Sequence, residues 1–146
     1  RFKKLINMPV KFFHEKKTRV KHSKALKSFI VSIFNKEAKE LNSLTYIFCS
    51  DNYLLAINRQ YLQHDFYTDI ISFNLSDHPE SPVIGEIYIS IDRVRDNACI
   101  HHTTIEQELY RVIFHGALHL CGYKDKTKAQ AKEMRAKEDF YLSKYG

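Results

Sequence analysis

An α+β fold is expected, a small mixed sheet of about four strands packed with about five helices. Three observations predict it. Long stretches carry apolar residues at spacings of three and four, the period of a helix with one buried face. Short runs between them are β-branched and aromatic, a composition that fits a pleated, half-buried surface. At 146 residues the chain can build one core but not two, so residues 1–146 are taken as a single domain.

Residues 10–14 (VKFFH) are expected to form a short strand. Over 22–41, Ala25, Leu26, Phe29, Ile30, Ile33, Phe34 and Ala38 recur at helical spacing, with Lys and Glu filling the other side. That predicts an amphipathic helix. Residues 44–49 (LTYIFC) read as a strand. Residues 51–62 read as a second helix, starting with Asp51 as a cap candidate and carrying Leu54, Leu55, Ile57 and Leu62. Residues 68–75 (TDIISFNL) form the next expected strand. SDHPESP over 76–82 carries two prolines and turn formers and reads as a loop. The alternation of 84–91 (IGEIYISI) predicts a further strand. Asp92 is placed to cap a helix over 93–100. Thr103 or Thr104 can cap a helix running to about Cys121, with Glu106 or Gln107 as capping-box partner. Gly122 is placed to end it. A charged helix over 127–144, with Thr127 as N-cap, closes the chain.

Composition excludes several classes. With 44% hydrophobic and 27% charged residues, the chain is neither disordered nor membrane-embedded. The opening RFKKLINMPVKFF is basic but lacks a cleavage pattern, so no signal peptide is expected. The first residue is Arg rather than Met, which suggests a start made by processing or trimming. Cys49, Cys99 and Cys121 are odd in number and widely spaced. No disulfide framework follows, and a reducing, cytoplasmic location is expected. Charge is uneven. Residues 1–28 hold ten Lys/Arg against Glu15 alone, a balance of +9, while the chain totals +6. A basic segment on a near-neutral body suits a polyanion, nucleic acid first; a solubilising face is the bland alternative.

The stretch 115-HGALHLCGYKDK-126 carries the chemistry. His115 and His119 are four residues apart on the same predicted helix, so both imidazoles face one side, a turn apart. Gly122 lets the chain turn back, and Asp125 then reaches a third position. The pattern is H-x3-H-x5-D, following the spacing logic of extended zinc motifs. Apolar Ile113, Phe114, Ala117, Leu118 and Leu120 surround the pair. Two imidazoles in such a setting need partners, and a metal supplies one. Cys121 is a competent rival ligand. It lies two residues from His119 and so points to another face, which makes it a packing residue. In H-E-x-x-H peptidases a Glu beside the first His is the general base; here that position is Gly116. Three ligands and a water on the metal are expected, without ordinary zinc-peptidase chemistry.

With these residues in hand, the chain resembles the YbeY-type endoribonucleases, metal-dependent bacterial RNases of ribosomal RNA maturation. That family's signature is similar to H-G-x-L-H-L-x-G-Y-D-H, which His115, Gly116, Leu118, His119, Leu120, Gly122 and Tyr123 match in order. The block 58-NRQYLQHDFYTDIISF-73 resembles a second pattern through Asn58, Tyr61, Asp65, Thr68, Asp69, Ser72 and Phe73. The strand 85-GEIYIS-90 resembles a third. Two positions depart. The family's third His falls on Asp125 without a gap; a one-residue insertion would instead align Lys126 with it. Asp is a competent zinc ligand and is preferred, although its charge weakens the metal's Lewis acidity. The family's Arg falls on Leu62, for which Arg59 or Lys124 can substitute.

The resemblance implies a zinc-dependent, single-strand-specific endoribonuclease of ribosomal RNA processing (3′-end maturation of small-subunit rRNA) and ribosome quality control. One zinc ion per chain is expected on His115, His119 and Asp125, which act through water on the metal. Arg59, Thr68, Ser72 and Lys124 are candidate RNA or phosphate contacts, with further Lys/Arg from the first and last segments. Asp69 and Glu86 read as structural, and no general base is evident. Single-stranded RNA, ribosomal RNA and the small ribosomal subunit are the expected partners, with no membrane; oligomeric state is left open. A non-catalytic ribosome-assembly factor with a structural metal, and a peptidase-like hydrolase of another substrate, remain as alternatives.

Overall fold

The structure is a computed structural model that describes residues 8–146. The first seven positions of the basic segment, with Arg1, Lys3 and Lys4, lie outside the described residues. The elements run β1 (Val10–His14), α1 (Ser23–Lys36), β2 (Leu41–Cys49), α2 (Asp51–Leu62), β3 (Ile70–Asn74), β4 (Val83–Ser90), α3 (Ile91–Ile100), α4 (Ile105–Leu120) and α5 (Lys128–Tyr145). Four strands and five helices form the expected α+β arrangement. No helix among the described residues is long and apolar enough to cross a membrane.

The sheet has the order β1-β2-β4-β3. β1 and β2 are parallel, as are β2 and β4. β3 is an antiparallel edge, with Ser72 opposite Ile87. Helix α4 is the central helix, packed against β3, β4, α1, α3 and α5. Ile113, Phe114, Ala117 and Leu118 are fully buried there, so α4 is held by core packing rather than by propensity alone. Tyr46 Oη donates to the Ile113 carbonyl at 2.8 Å and ties the helix to β2.

Several boundaries differ from the sequence expectation. The helix expected over 22–41 stops at Lys36, because Ala38 takes a left-handed φ of 57° and Leu41 is already in β2. Apolar periodicity carried the expectation past a chain reversal that no Gly or Pro marks. Ser50, not Asp51, caps α2, its side chain accepting from the Tyr53 N–H. Ser90, not Asp92, caps α3. Asp92 accepts instead from Lys16 Nζ and from the Asp51 N–H. Thr104 caps α4, accepting from Gln107 N–H. Thr127 caps α5 within a full capping box with Gln130.

Candidate metal centre

Helix α4 presents His115 and His119 on one face, ring centroids 4.7 Å apart and nearly perpendicular. The helix ends at Leu120, and Gly122 follows with φ 109°, a left-handed conformation that suits glycine. That turn brings Asp125 back over the pair. Asp125 Oδ2 lies 3.3 Å from His115 Nε2 and 3.5 Å from His119 Nε2. One ligand atom from each of the three residues falls within 4.8 Å of the others.

The donor set fits a divalent ion. Bonds of about 2.0–2.2 Å from a tetrahedral zinc put neighbouring ligand atoms about 3.3–3.6 Å apart. Both His–Asp separations lie in that range. Two imidazoles and one carboxylate leave an open position, the composition of a catalytic rather than a closed structural zinc site. Cys121 is not among the gathered residues. It packs against the core, and burial pushes its thiol up to about 12, a poor state for a thiolate ligand.

Glu138 of α5 is a member that the sequence reading missed. Its Oε2 accepts from His115 Nδ1 at 2.6 Å, which leaves Nε2 directed at Asp125. This is the carboxylate–histidine arrangement that fixes tautomer and ring orientation at metal sites. Arg111 in turn donates to Glu138 Oε1 at 2.8 Å and to Asp139 Oδ1 at 2.7 Å. Burial pulls the His115 pKa down, but the Glu138 hydrogen bond and the charges of Glu138, Asp125 and Asp69 outweigh it and leave it raised above 6.5. The sequence carries only a partial signal for Glu138, its helical spacing with Met134 and Tyr141, with which it shares the buried face of an otherwise charged helix.

Gly116 shows why the peptidase base is missing. A Cβ there would come within 2.8 Å of Ile87 Cδ1 and 3.0 Å of Ile70 Cδ1. The position is packed flat on the sheet, and a larger side chain would have to push aside the Ile70 and Ile87 side chains.

The three residues open into a cleft of about 960 Å³. One wall comes from the end of α2, the segment after it and β3; the other comes from α3, α4 and α5. Thr68, Asp69, Ser72 and Leu62 line it. Thr68 Oγ1 is turned to the Ile70 carbonyl at 3.4 Å. Ser72 Oγ is buried without a hydrogen-bond partner. Burial pushes the Asp69 carboxyl up, against the pull of His115. Glu86 lies off the lining and accepts from Tyr88 Oη at 3.1 Å. Arg59 and Lys124 do not line the cleft either; Arg59 is exposed and paired with Asp65. The basic groups that reach the cleft are Arg111, Lys126 and Arg135. No residue of 8–28 lines it, so the described part of the basic segment stands apart from the metal centre.

The chain is similar to known proteins over most of its length. A family model described as "Endoribonuclease YbeY" matches residues 11–146. A Cytophaga hutchinsonii protein named "Endoribonuclease YbeY" is 52% identical over 118 residues, covering 81% of this chain and 82% of its own. A Flavobacterium psychrophilum protein of the same name is 46% identical over 130 residues, covering 89% and 91%. The solution structure of TM1509 from Thermotoga maritima is similar with a TM-score of 0.66 at 30% identity, covering 93% of this chain and 88% of that one.

Proposed function

The chain belongs to the Endoribonuclease YbeY family, and on that premise we propose that it is a zinc-dependent endoribonuclease cutting single-stranded RNA. The observation that carries the reading is the convergence of His115, His119 and Asp125 at the cleft, with Glu138 holding His115. His115 Nε2, His119 Nε2 and an Asp125 oxygen would hold the ion. Zinc is the choice that two imidazoles and one carboxylate with an open position favour. When bound, the ion supplies Lewis acidity, lowering the pKa of a water and polarising a phosphoryl oxygen.

The protein's own residues do the rest. Glu138 keeps the Nδ1 proton on His115, so its Nε2 lone pair is available. Arg111, paired with Glu138 and Asp139, neutralises Glu138 and holds it against His115. Arg135 and Lys126 line the cleft and meet the phosphates of the strand, whereas Ser72 Oγ is buried beneath the cleft surface. Leu62 lines the cleft as an apolar surface and takes no part in proton transfer. The biological substrate is ribosomal RNA: 3′-end maturation of small-subunit rRNA and ribosome quality control, in the cytoplasm with the small ribosomal subunit as partner.

The test is a cleavage assay on single-stranded RNA with metal-stripped, zinc-reconstituted and His119→Ala protein in parallel. Cleavage restored by zinc and absent in His119→Ala is the expected result. Cleavage that persists after chelation and in His119→Ala sinks the reading. RNA binding that falls steeply with salt, without any cleavage, points to an assembly factor instead.

A further inference from the structure

Besides Asp69, Asp125 and Glu138, the metal cleft is lined by a further acidic residue, Glu108. Glu108 lies on α4 seven residues before His115, about 10 Å along the helix. It lines the same cleft, and its side chain is 6% exposed. Among the described residues its side chain makes no hydrogen bond, and its one ion-pair partner within 4 Å is His101 Nδ1, at 3.6 Å. Its oxygens are not among the fully buried unpartnered atoms, so this carboxylate on a mostly buried residue opens to the cleft, where a ligand's donors can meet it. Arg111, one helical turn on, cannot serve, because its guanidinium is committed to Glu138 and Asp139 on α5. Beside Glu108, Asn97 and His101 of the α3 end also line the cleft.

We infer that Glu108 is a base-reading residue, which selects guanosine in the strand next to the scissile linkage. The inference rests on the ribonuclease reading. A carboxylate offers two acceptors and no donor. Guanine is the base whose Watson–Crick edge presents two adjacent donors, N1–H and the N2 amine, and so satisfies both oxygens at once. Its O6 then needs a donor, which the Asn97 amide or His101 supplies. Adenine and cytosine each offer one amino donor beside a ring acceptor, and uracil one N–H between two carbonyls that face the carboxylate unfavourably. Single-stranded RNA exposes these edges to a protein as a duplex does not. Residues built to meet a buried polar group reject analogues that leave it unpaired.

The experiment digests a random pool of single-stranded RNA with the zinc-loaded chain and maps the cut sites by sequencing. In parallel, oligouridine strands carrying one guanosine, one inosine (which lacks the N2 amine) or none are titrated against the full chain in chelator by fluorescence anisotropy. Guanosine is expected at one fixed register from the cut, with affinity falling in the order guanosine, inosine, uridine by about tenfold overall, as a bidentate base contact provides. Glu108→Gln, which replaces one acceptor by a donor at constant shape, should erase that order while zinc content and cleavage of the pool persist. Cut sites without base preference in the wild-type protein overturn the inference whether or not the variant folds. An unchanged preference in Glu108→Gln overturns it too. Both failures leave the ribonuclease reading standing, whereas a chain that neither binds nor cuts RNA overturns both.

Discussion

The two walls of the cleft are built in opposite ways. On the α4–α5 wall, His115 is held by a chain of braces: Glu138 holds His115, Arg111 holds Glu138, and Asp139 holds Arg111. Behind them stand Phe114, Ala117 and Leu118, fully buried. The facing wall follows α2, where Gln63 turns the chain with φ 55° and His64, Asp65, Phe66 and Tyr67 are exposed. Its anchor to the helix is the buried Asn58, whose Nδ2 donates to the Phe66 carbonyl at 2.9 Å. His64 and Phe66 stack at 5.1 Å, and Phe66 is 55% exposed. The division suits the chemistry: ligands need fixed geometry, whereas a strand of varied sequence is met by aromatic faces with room to adapt. The account therefore separates metal binding from RNA binding, and perturbations of the two walls should sort accordingly.

The largest effect is expected from His119→Ala. Loss of a ligand should remove the ion and lower cleavage by more than the roughly 100-fold that loss of an outer partner costs; metal analysis and a cleavage assay on one preparation check both. Glu138→Gln should come next, with zinc affinity weaker by about 10–100-fold in a competitive chelator titration and RNA binding in chelator unchanged. Across the cleft, Phe66→Ala should weaken single-strand binding by about 1–3 kcal/mol with zinc affinity untouched; a drop in zinc affinity there would break the division. The smallest effect is on pH. His115 is raised above 6.5 in the folded, metal-free chain. Its protonated pair with Glu138 therefore stabilises the metal-free protein fully below about 6.5, and that contribution fades as pH rises through the raised value. Zinc competes with the same proton, so zinc affinity should fall as pH drops through that value. Thermal melts with and without zinc across this range should show the two opposite slopes.

How much of this was legible in the sequence follows from what kind of signal each feature leaves. The strands and helices announced themselves through period and through residues such as Thr104 and Thr127, whose cap roles are local. His115, His119 and Asp125 were legible because one helix and one turn bring them together, with Gly122 marking the turn. Glu138 and Arg111 were not read, because their partnership spans 27 residues and depends on how α5 docks against α4. The end of α1 was misplaced for a similar reason: the left-handed Ala38 is imposed by the start of β2 rather than by its own preference. The contacts proposed for Arg59 and Lys124 came from nearness along the chain. In the fold, Arg59 turns to Asp65, and Lys126 rather than Lys124 lines the cleft.

The central claim is that Asp125 completes the metal centre from which RNA is cut. Zinc stoichiometry and cleavage rate measured together on wild-type, Asp125→Ala and Asp125→His protein test it most directly. The account predicts one zinc per chain and cleavage in the wild type, loss of both in Asp125→Ala, and retention of both in Asp125→His, since an imidazole can take the same position. One zinc per chain with undiminished cleavage in Asp125→Ala would contradict it.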